Sequence, residues 1–396
     1  MNICGIVCEY NPFHAGHRHL IDAVRRTLGA DCAVVCVMSG DFVQRGEAAA
    51  FLKHDRARAA VAGGADLVLE LPLPWAIAPA EGFARGAVGA LGATGVVTHI
   101  AFGSECGDLP LLQDTAGALL RPDFDALLRS AMAEGLPYAA ARQQAVGIRT
   151  GGSAEVLRQP NDILAVEYLK VIRSRGLPMI PLAVKRQGAG HDTGEEDACP
   201  SAAFLREKLR AGADISPWMP SPSARALAEG EGPVDPASVE TAILSRLRFV
   251  PEEAFTALPD ISEGLERRIY PIARTAPTLD AAVEEASGKR YPKARVRRIM
   301  LAAALHVRAG DAAGIPPYLR VLAANGTGLA LLRQMEQTAA LPVLTKPAHV
   351  RTLGGEAERI FTLTAAGADL ACLGLADAAR RGGDRDWRAA PAICPD

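Results

Sequence analysis

Two histidines near the N-terminus have the types and spacing for phosphate chemistry. His14 and His17 flank Gly16 in the pattern His-x-Gly-His, shortly after the apolar run 3–7. A strand that leads into a helix at this point presents free backbone N–H groups and the positive end of the helix dipole to an anion. Gly16 allows the backbone to approach a ligand closely, and the imidazoles can donate hydrogen bonds to the charge that develops when phosphorus is attacked. The pattern predicts nucleotide chemistry, against the plainer alternative of a capped helix start with incidental histidines.

Further candidate ligand groups follow other predicted strands. The segment 39–46 contains Arg45, which can meet an anion, although the segment also fits an ordinary loop. Gly103 would let the backbone lie against a flat base or ribose, and a simple turn fits equally well. Lys185 and Arg186 end a predicted strand, where an arginine is a good phosphate ligand and a solvated charge pair is the plainer interpretation.

Two predicted helix starts complete the set of candidates. Asn161 opens one helix, and for this residue we favour a capping role over a ligand role because Asn is a preferred N-cap. Ser201 opens another as its cap, and Arg206, five residues later, would face a triphosphate together with it. The remaining histidines are isolated and are expected to be structural: His54, His99, His191, His306 and His349.

Alternating strands and helices are predicted to position these groups. Near-continuous apolar runs, typical of a parallel sheet covered on both faces, predict strands at 3–7, 33–38, 67–71, 96–102 and 179–184. Helices are predicted at 17–28, 53–62, 81–91 and 163–172, and in the second half at 239–247, 279–286, 294–309 and 326–338. This pattern indicates a doubly wound α/β domain, which binds ligands at the carboxyl ends of its strands.

The chain is expected to divide into two domains. We predict a catalytic domain over 1–210 with a helical insertion at about 108–175, followed by a linker rich in Pro, Ser and Gly at 211–238. A mainly helical domain is expected over 239–380, and a disordered tail over 381–396.

Composition limits the classes of protein that fit. The net charge of −2 excludes a global basic field, so nucleic-acid binding requires a local patch. No apolar stretch reaches spanning length and no leader is evident, so a cytoplasmic location is expected, without a membrane or DNA partner. The sequence lacks a CxxC pair, so no protein metal site is expected, and it lacks a GxxxxGK[ST] phosphate loop.

A local basic patch is present in the second half. Residues 289–298 contain six basic side chains and one tyrosine, which could hold RNA phosphates and stack on a splayed base; a solvated helix start is the alternative. The candidate residues are Lys289, Arg290, Tyr291, Lys293, Arg295, Arg297 and Arg298.

Taken together, these motifs resemble the bacterial tRNA(Met) cytidine acetate ligases, nucleotidyltransferase-like enzymes with HxGH motifs. The resemblance rests on residues 9–17, Met38–Glu47, Gly64–Pro72, Phe102–Glu105, Asn161–Leu164, Lys185–Arg186, Glu263–Leu265 and Arg290–Pro292, and so spans most of the chain. Two positions depart from the family pattern. Ala15 stands where Asn is usual, and Ala203 stands where a threonine hydroxyl is usual.

The resemblance implies an activity and a set of site residues. The activity is activation of acetate by ATP, with Mg²⁺ on the ATP phosphates, and acetylation of the wobble cytidine of elongator tRNA(Met). His14, His17, Lys185 and Arg206 would be catalytic, and the basic patch would bind tRNA. ATP would be bound by Val7, Cys8, Glu9, Tyr10, Asn11, Pro12, Phe13, His14, Ala15, Gly16, His17, Arg18, His19, Leu20, Gly103, Asn161 and Arg186.

Two other functions use the same motifs. A small-molecule nucleotidyltransferase that joins AMP or CMP to a cofactor precursor would need the same HxGH site, but it would not need a basic helical domain. A non-catalytic RNA-binding protein could retain the nucleotide pocket as a sensor, although both histidines and the Lys185–Arg186 pair are intact.

Overall fold

A mixed, eight-stranded sheet forms the centre of the protein. The computed structural model describes residues 1–150, 153–186, 200–262 and 264–395, so His191 and Glu263 lie outside the described residues. Within these ranges the strands are β1 (Ile3–Cys8), β2 (Ala33–Ser39), β3 (Leu67–Leu71), β4 (His99–Ser104), β5 (Ile180–Lys185), β6 (Leu319–Ala324), β7 (Val343–Leu344) and β8 (Ala392–Ile393).

Helices cover both faces of the sheet and make up most of the second half. In the first half they are α1 (Ala15–Leu28), α2 (Lys53–Ala62), α3 (Leu73–Ala76), α4 (Ala80–Ala93), α5 (Leu109–Leu119), α6 (Phe124–Ala133), α7 (Tyr138–Thr150), α8 (Pro160–Arg175) and α9 (Ala202–Arg210). They continue as α10 (Ser221–Ala228), α11 (Pro236–Leu247), α12 (Leu265–Thr275), α13 (Leu279–Ala286), α14 (Lys293–Leu305), α15 (Gly326–Thr338), α16 (Gly355–Ala371) and α17 (Arg385–Arg388).

The strand order confirms the predicted doubly wound fold. The order is β5-β4-β1-β2-β3-β6-β7, with β8 paired to β6, and the first five strands are parallel. The chain passes from β1 outward to β3 on one side and then returns to β4 and β5 on the other. The order therefore reverses between β1 and β4, and ligands of this fold bind beside that reversal, at the carboxyl ends of the strands.

The buried apolar runs explain why the strands match the prediction closely. Every residue of β2 and β3 is buried, as expected for central strands with helices on both faces. The buried cysteines Cys4, Cys32 and Cys36 pack in the core as small apolar side chains, and burial raises the pKa of the Cys4 thiol above its ordinary value.

The second half contributes more to the sheet than the sequence predicted. β6 pairs antiparallel with β3, so the edge of the first-half sheet is continued by residues 319–324. The region 211–238, expected to be a linker, contains α10, where the Ser223 hydroxyl donates to the Ala59 carbonyl oxygen at 2.8 Å.

The tail is ordered, and the prediction of disorder for 381–396 was wrong for its described residues. Asp386 on α17 is 1% exposed and pairs with Lys53 and with Arg320 (Nη1–Oδ2 2.7 Å). Glu70 accepts from both cations, from Lys53 at 2.6 Å and from Arg320 at 3.0 Å. These buried charges join β3, β6, α2 and the tail, and each would be costly to leave unpaired. Nothing in the sequence near Asp386 indicates partners so distant.

Candidate active site

A cavity of about 430 Å³ opens at the carboxyl ends of β1, β4 and β5. Its position beside the reversal of strand order is the one that this fold uses for ligands. Its wall contains most of the predicted ATP-binding residues: Val7, Cys8, Glu9, Tyr10, Asn11, His14, Gly16, His17, His19, Leu20, Gly103, Asn161 and Arg186. The predicted catalytic residues Lys185 and Arg206 also line it.

Four predicted ATP-binding residues are placed elsewhere. Pro12 and Ala15 are not among the residues of the cavity wall, and Phe13 is buried behind it against the Tyr10 ring, with centroids 4.8 Å apart. Arg18 points along the outside of α1, where its Nε donates to Asp22 at 2.8 Å. These residues shape the turn and the helix without contacting the cavity.

The two histidines are held by the start of α1. His14 is the N-cap, and its Nδ1 accepts from the Gly16 N–H at 3.0 Å, while the His17 Nδ1 accepts from the His14 N–H at 3.3 Å. The ring centroids lie 3.9 Å apart, and the ring planes are tilted by 37° to each other. A Cβ at Gly16 would approach the His14 ring to 2.9 Å, so glycine is required here for the imidazole itself. Close approach of a ligand is the only reason for a glycine here that the sequence alone predicts.

Both imidazoles are neutral hydrogen-bond donors at neutral pH. Burial and the positive charge of Arg186 lower the pKa of His14 to about 4, and burial with the neighbouring His14 lowers the pKa of His17 well below its ordinary value. Since each Nδ1 accepts from a backbone N–H, the single ring proton lies on Nε2. Each ring therefore offers an N–H donor while its other nitrogen is fixed to the backbone.

The charge of the cavity favours an anion. Arg45, Lys185, Arg186 and Arg206 line it, opposed by Glu9 as the one carboxylate among its described lining residues. The Glu9 Oε1 accepts from the Gln44 N–H at 2.8 Å, and the Arg206 Nη1 donates to the Asn11 carbonyl oxygen at 3.0 Å. An excess of guanidinium and ammonium groups beside two N–H donors suits a polyphosphate.

Arg56 supports the loops that line the cavity without lining it itself, and the sequence did not predict this role. Its guanidinium is fully buried and donates to the carbonyl oxygens of Glu9, Ser39, Gly40 and Phe51. It therefore ties the turn after β1 to the loop after β2. Five of the first six residues of α2 are charged or ionisable, so nothing in the local sequence distinguishes Arg56 from its neighbours.

Asn161 does not cap α8, and the favoured interpretation of this residue was wrong. The N-cap is Gln159, and the Asn161 Nδ2 donates instead to Glu105 Oε1 at 2.5 Å. Glu105 also accepts from the Asp162 N–H at 3.0 Å, while Asp162 accepts from the Glu105 N–H at 2.9 Å. This reciprocal pair joins the end of β4 to the start of α8 and holds Asn161 at the cavity wall. By contrast, Ser201 does cap α9, accepting from the Phe204 N–H at 3.2 Å.

The basic patch is divided between half-buried and exposed residues. Arg297 pairs with Glu240 and Asp280, and both Arg295 and Arg298 pair with Asp260. The exposed members are Lys289, Arg290 and Lys293, while Tyr291 is half-buried against the core. The patch therefore matches neither predicted alternative completely. Its three half-buried arginines are paired with carboxylates, and its three exposed basic residues are accessible at the surface.

Neither a membrane-spanning helix nor a metal-ligating cluster occurs among the described residues. Across 1–150, 153–186, 200–262 and 264–395, no helix is long and apolar enough to cross a membrane. The same residues contain no group of three or more His, Cys, Asp or Glu side chains that could hold a metal ion.

Comparison with known proteins identifies similar sequences over the whole chain. The family model described as HIGH Nucleotidyl Transferase matches residues 1–384. The tRNA(Met) cytidine acetate ligase of Syntrophomonas wolfei is 35% identical, over 99% of this chain and 99% of that protein. The enzyme of the same name from Acetivibrio thermocellus is 36% identical, over 87% of this chain and 88% of that protein.

Solved structures show the same fold. The apo form I crystal structure of Thermotoga maritima TmcAL superposes with a TM-score of 0.93 at 30% identity and covers 100% of both chains. The form II crystal structure of the same protein, bound with alpha-thio ATP, gives a TM-score of 0.92 at 30% identity, again over 100% of both chains.

Proposed function

Because the chain belongs to the HIGH nucleotidyl transferase family, and within it to the tRNA(Met) cytidine acetate ligases, we propose that it acetylates the wobble cytidine of elongator tRNA(Met). Acetate would first be activated by ATP as acetyl-adenylate. The observation that carries the proposal is the convergence of His14, His17 and Arg186 in one cavity at the reversal of strand order.

The chemistry explains why ATP is needed. The exocyclic amine of cytosine is a poor nucleophile because its lone pair is delocalised into the ring, and acetate is a poor electrophile. Attack of an acetate oxygen on the α-phosphorus forms a mixed anhydride and releases pyrophosphate. The amine then attacks the activated carbonyl carbon and AMP leaves.

The residues of the cavity match the demands of the first step. The Nε2–H groups of His14 and His17 stabilise the charge that develops on the α-phosphate oxygens, and they do so as fixed neutral donors. Arg186 and Lys185 balance the remaining phosphate charge. Arg206 holds the turn after β1 through Asn11 and contributes its charge from the opposite wall.

The surroundings of the reaction follow from the same proposal. Mg²⁺ would be held by the ATP phosphates and water, as is usual for this ion. The exposed basic residues Lys289, Arg290 and Lys293 would bind tRNA phosphates, with Lys293 exchanging its exposed pair to Glu284 (Nζ–Oε2 2.5 Å) for a phosphate. The less exposed Arg295, Arg297 and Arg298 would keep their carboxylate partners and position the helix start. An enzyme acting on tRNA in this way would work in the cytoplasm.

The decisive experiment follows labelled acetate into tRNA. The protein is incubated with ATP, Mg²⁺, labelled acetate and tRNA(Met), and the digested nucleosides are analysed by mass. We expect an acetylcytidine that requires ATP. Unmodified nucleosides after complete incubation would refute the proposal, and a formyl or propionyl mass with the matching acid would show a different acyl specificity.

A histidine variant links this activity to the cavity. His17→Ala removes one donor and should lower the rate about 100- to 1,000-fold while the thermal transition stays cooperative. His349→Ala makes the same change at an exposed position and should keep the wild-type rate. Equal rates for both variants would refute the assigned role of His17.

A further inference from the structure

A second cavity of about 600 Å³ lies beside the first. It is bounded by the loop 46–50, the end of α9, the start of α11 and residues of α13 and α14. Its volume falls in the range of about 300–1,000 Å³ that is common for ligand sites. The proposed reaction has two substrates of nucleotide character, and the first cavity accounts for ATP alone.

The two cavities share a wall. Arg206 lines both, and the loop after β2 places Gln44 and Arg45 in the first cavity and Gly46 and Glu47 in the second. This loop is fixed from the far side, because a Cβ at Gly46 would meet backbone atoms of α14 at 2.8 Å. The residues between the cavities are therefore held by both halves of the protein.

Most of the carboxylates in the second cavity already have partners. Asp235 caps α11, and both Glu240 and Asp280 pair with Arg297. Glu47, in contrast, accepts no hydrogen bond and forms no ion pair with its side chain among the residues that the structure describes, and it is half-buried.

Glu47 lines the second cavity together with Arg206, and its charge acts on the groups around the shared wall. Burial lowers the pKa of Arg206, and the negative charge of Glu47 opposes that effect more than the charge of Glu9 does. Glu47 also acts on Glu240 and Arg297 across the second cavity. The Glu47 carboxylate therefore lies between the cavity proposed for ATP and a second cavity that is large enough for a nucleotide and has no assigned ligand.

We propose that the second cavity receives the flipped acceptor cytidine and that the Glu47 carboxylate is the base for acetyl transfer. This inference rests on the proposed function and names the place and partner of its second step. A carboxylate is the side chain expected to accept a hydrogen bond from the exocyclic amine of cytosine. Enzymes that do chemistry on a base hold it, unstacked, in a pocket, and the second cavity offers such a pocket.

The acetyl transfer to cytosine needs only the acetyl-adenylate, the cytosine amine and Glu47. N4 of cytosine attacks the acetyl carbonyl carbon and forms the N–C bond. The bond from that carbon to the phosphate oxygen breaks, and AMP leaves with the electron pair. The nitrogen loses one proton, which passes to a carboxylate oxygen of Glu47.

Two half-reactions separate this role from ATP chemistry. Acetate-dependent exchange of labelled pyrophosphate into ATP measures adenylate formation without tRNA, and single-turnover transfer measures the second step. Glu47→Gln should keep the exchange rate within about twofold and lower the transfer rate about 100-fold or more.

A second variant tests the cavity rather than the base. Ala237→Trp fills the second cavity from an exposed position on α11 that does not line the first cavity, and it should impair transfer but not exchange. Glu229→Gln, the same change as the Glu47 variant on the exposed end of α10, should affect neither reaction.

The outcomes are distinguishable. Wild-type transfer by the Glu47 and Ala237 variants, or loss of exchange together with transfer in Glu47→Gln, would overturn the inference while leaving the proposed function in place. Absence of both exchange and transfer in the wild-type protein would refute the proposed function itself.

Discussion

Replacing the buried Arg56 with lysine tests whether one side chain maintains the shape of the first cavity. The guanidinium donates to four carbonyl oxygens, two of them at 3.0 Å on Ser39 and Phe51. Lysine keeps the charge, but its compact ammonium group cannot reach acceptors spread over both loops. If two of the four hydrogen bonds are lost, at about 1.5 kcal/mol for each bond to a charged donor, Arg56→Lys loses about 3 kcal/mol of stability.

The same substitution should also weaken nucleotide binding. Both tethered segments line the cavity, through Asn11 on one side and Gln44 on the other. Urea denaturation gives the free energy of unfolding, and calorimetric titration with ATP gives the affinity. Arg58→Lys is the matched control, because this neighbour on α2 is 36% exposed in its side chain and pairs with Asp55 on the same helix. A loss below about 1 kcal/mol with unchanged ATP affinity would refute the reasoning.

Two other predictions concern buried charge. Asp386→Asn breaks the buried pairs of the tail and should cost about 3–5 kcal/mol in urea denaturation, whereas Asp384→Asn, on an exposed side chain, should change little; equal stabilities would contradict the structural role of the tail. For His14, whose folded-state pKa is lowered from 6.5 to about 4, the unfolded chain gains a proton first as the pH falls, so this contribution to stability is present above about pH 6.5 and is lost toward pH 4. An NMR titration of the His14 ring in the ligand-free protein should show a midpoint near 4, and a midpoint near 6.5 would contradict the burial argument.

The parts of the fold that depend on local pattern could be predicted from the sequence. The first five strands are runs of apolar residues between turns, and they occur within a few residues of their expected positions. The candidate site was predictable to the same degree, because His14, His17, Lys185 and Arg186 all follow strands whose ends meet at one edge of a parallel sheet.

The parts that depend on distant partners could not be predicted. Asn161 has the type and position of a helix cap, but Glu105 supplies an acceptor that competes with the backbone. The run 319–324 is short and apolar except for Arg320, and nothing within it indicates pairing with β3 rather than burial in a helical domain. The pairing of Arg297 with two carboxylates likewise depends on how α11, α13 and α14 pack, which local composition does not reveal.

The antiparallel pairing of β6 with β3 also has a consequence for folding during translation. During translation, residues 67–71 emerge from the ribosome about 250 positions before the strand that covers their outer edge. Until then, the outer edge of β3 in the nascent chain has backbone N–H and C=O groups without hydrogen-bond partners. Such an edge can pair with a strand of another incomplete chain and cause aggregation. A fragment that stops at the end of α9 would inherit this exposed edge permanently and should aggregate where the full-length chain does not.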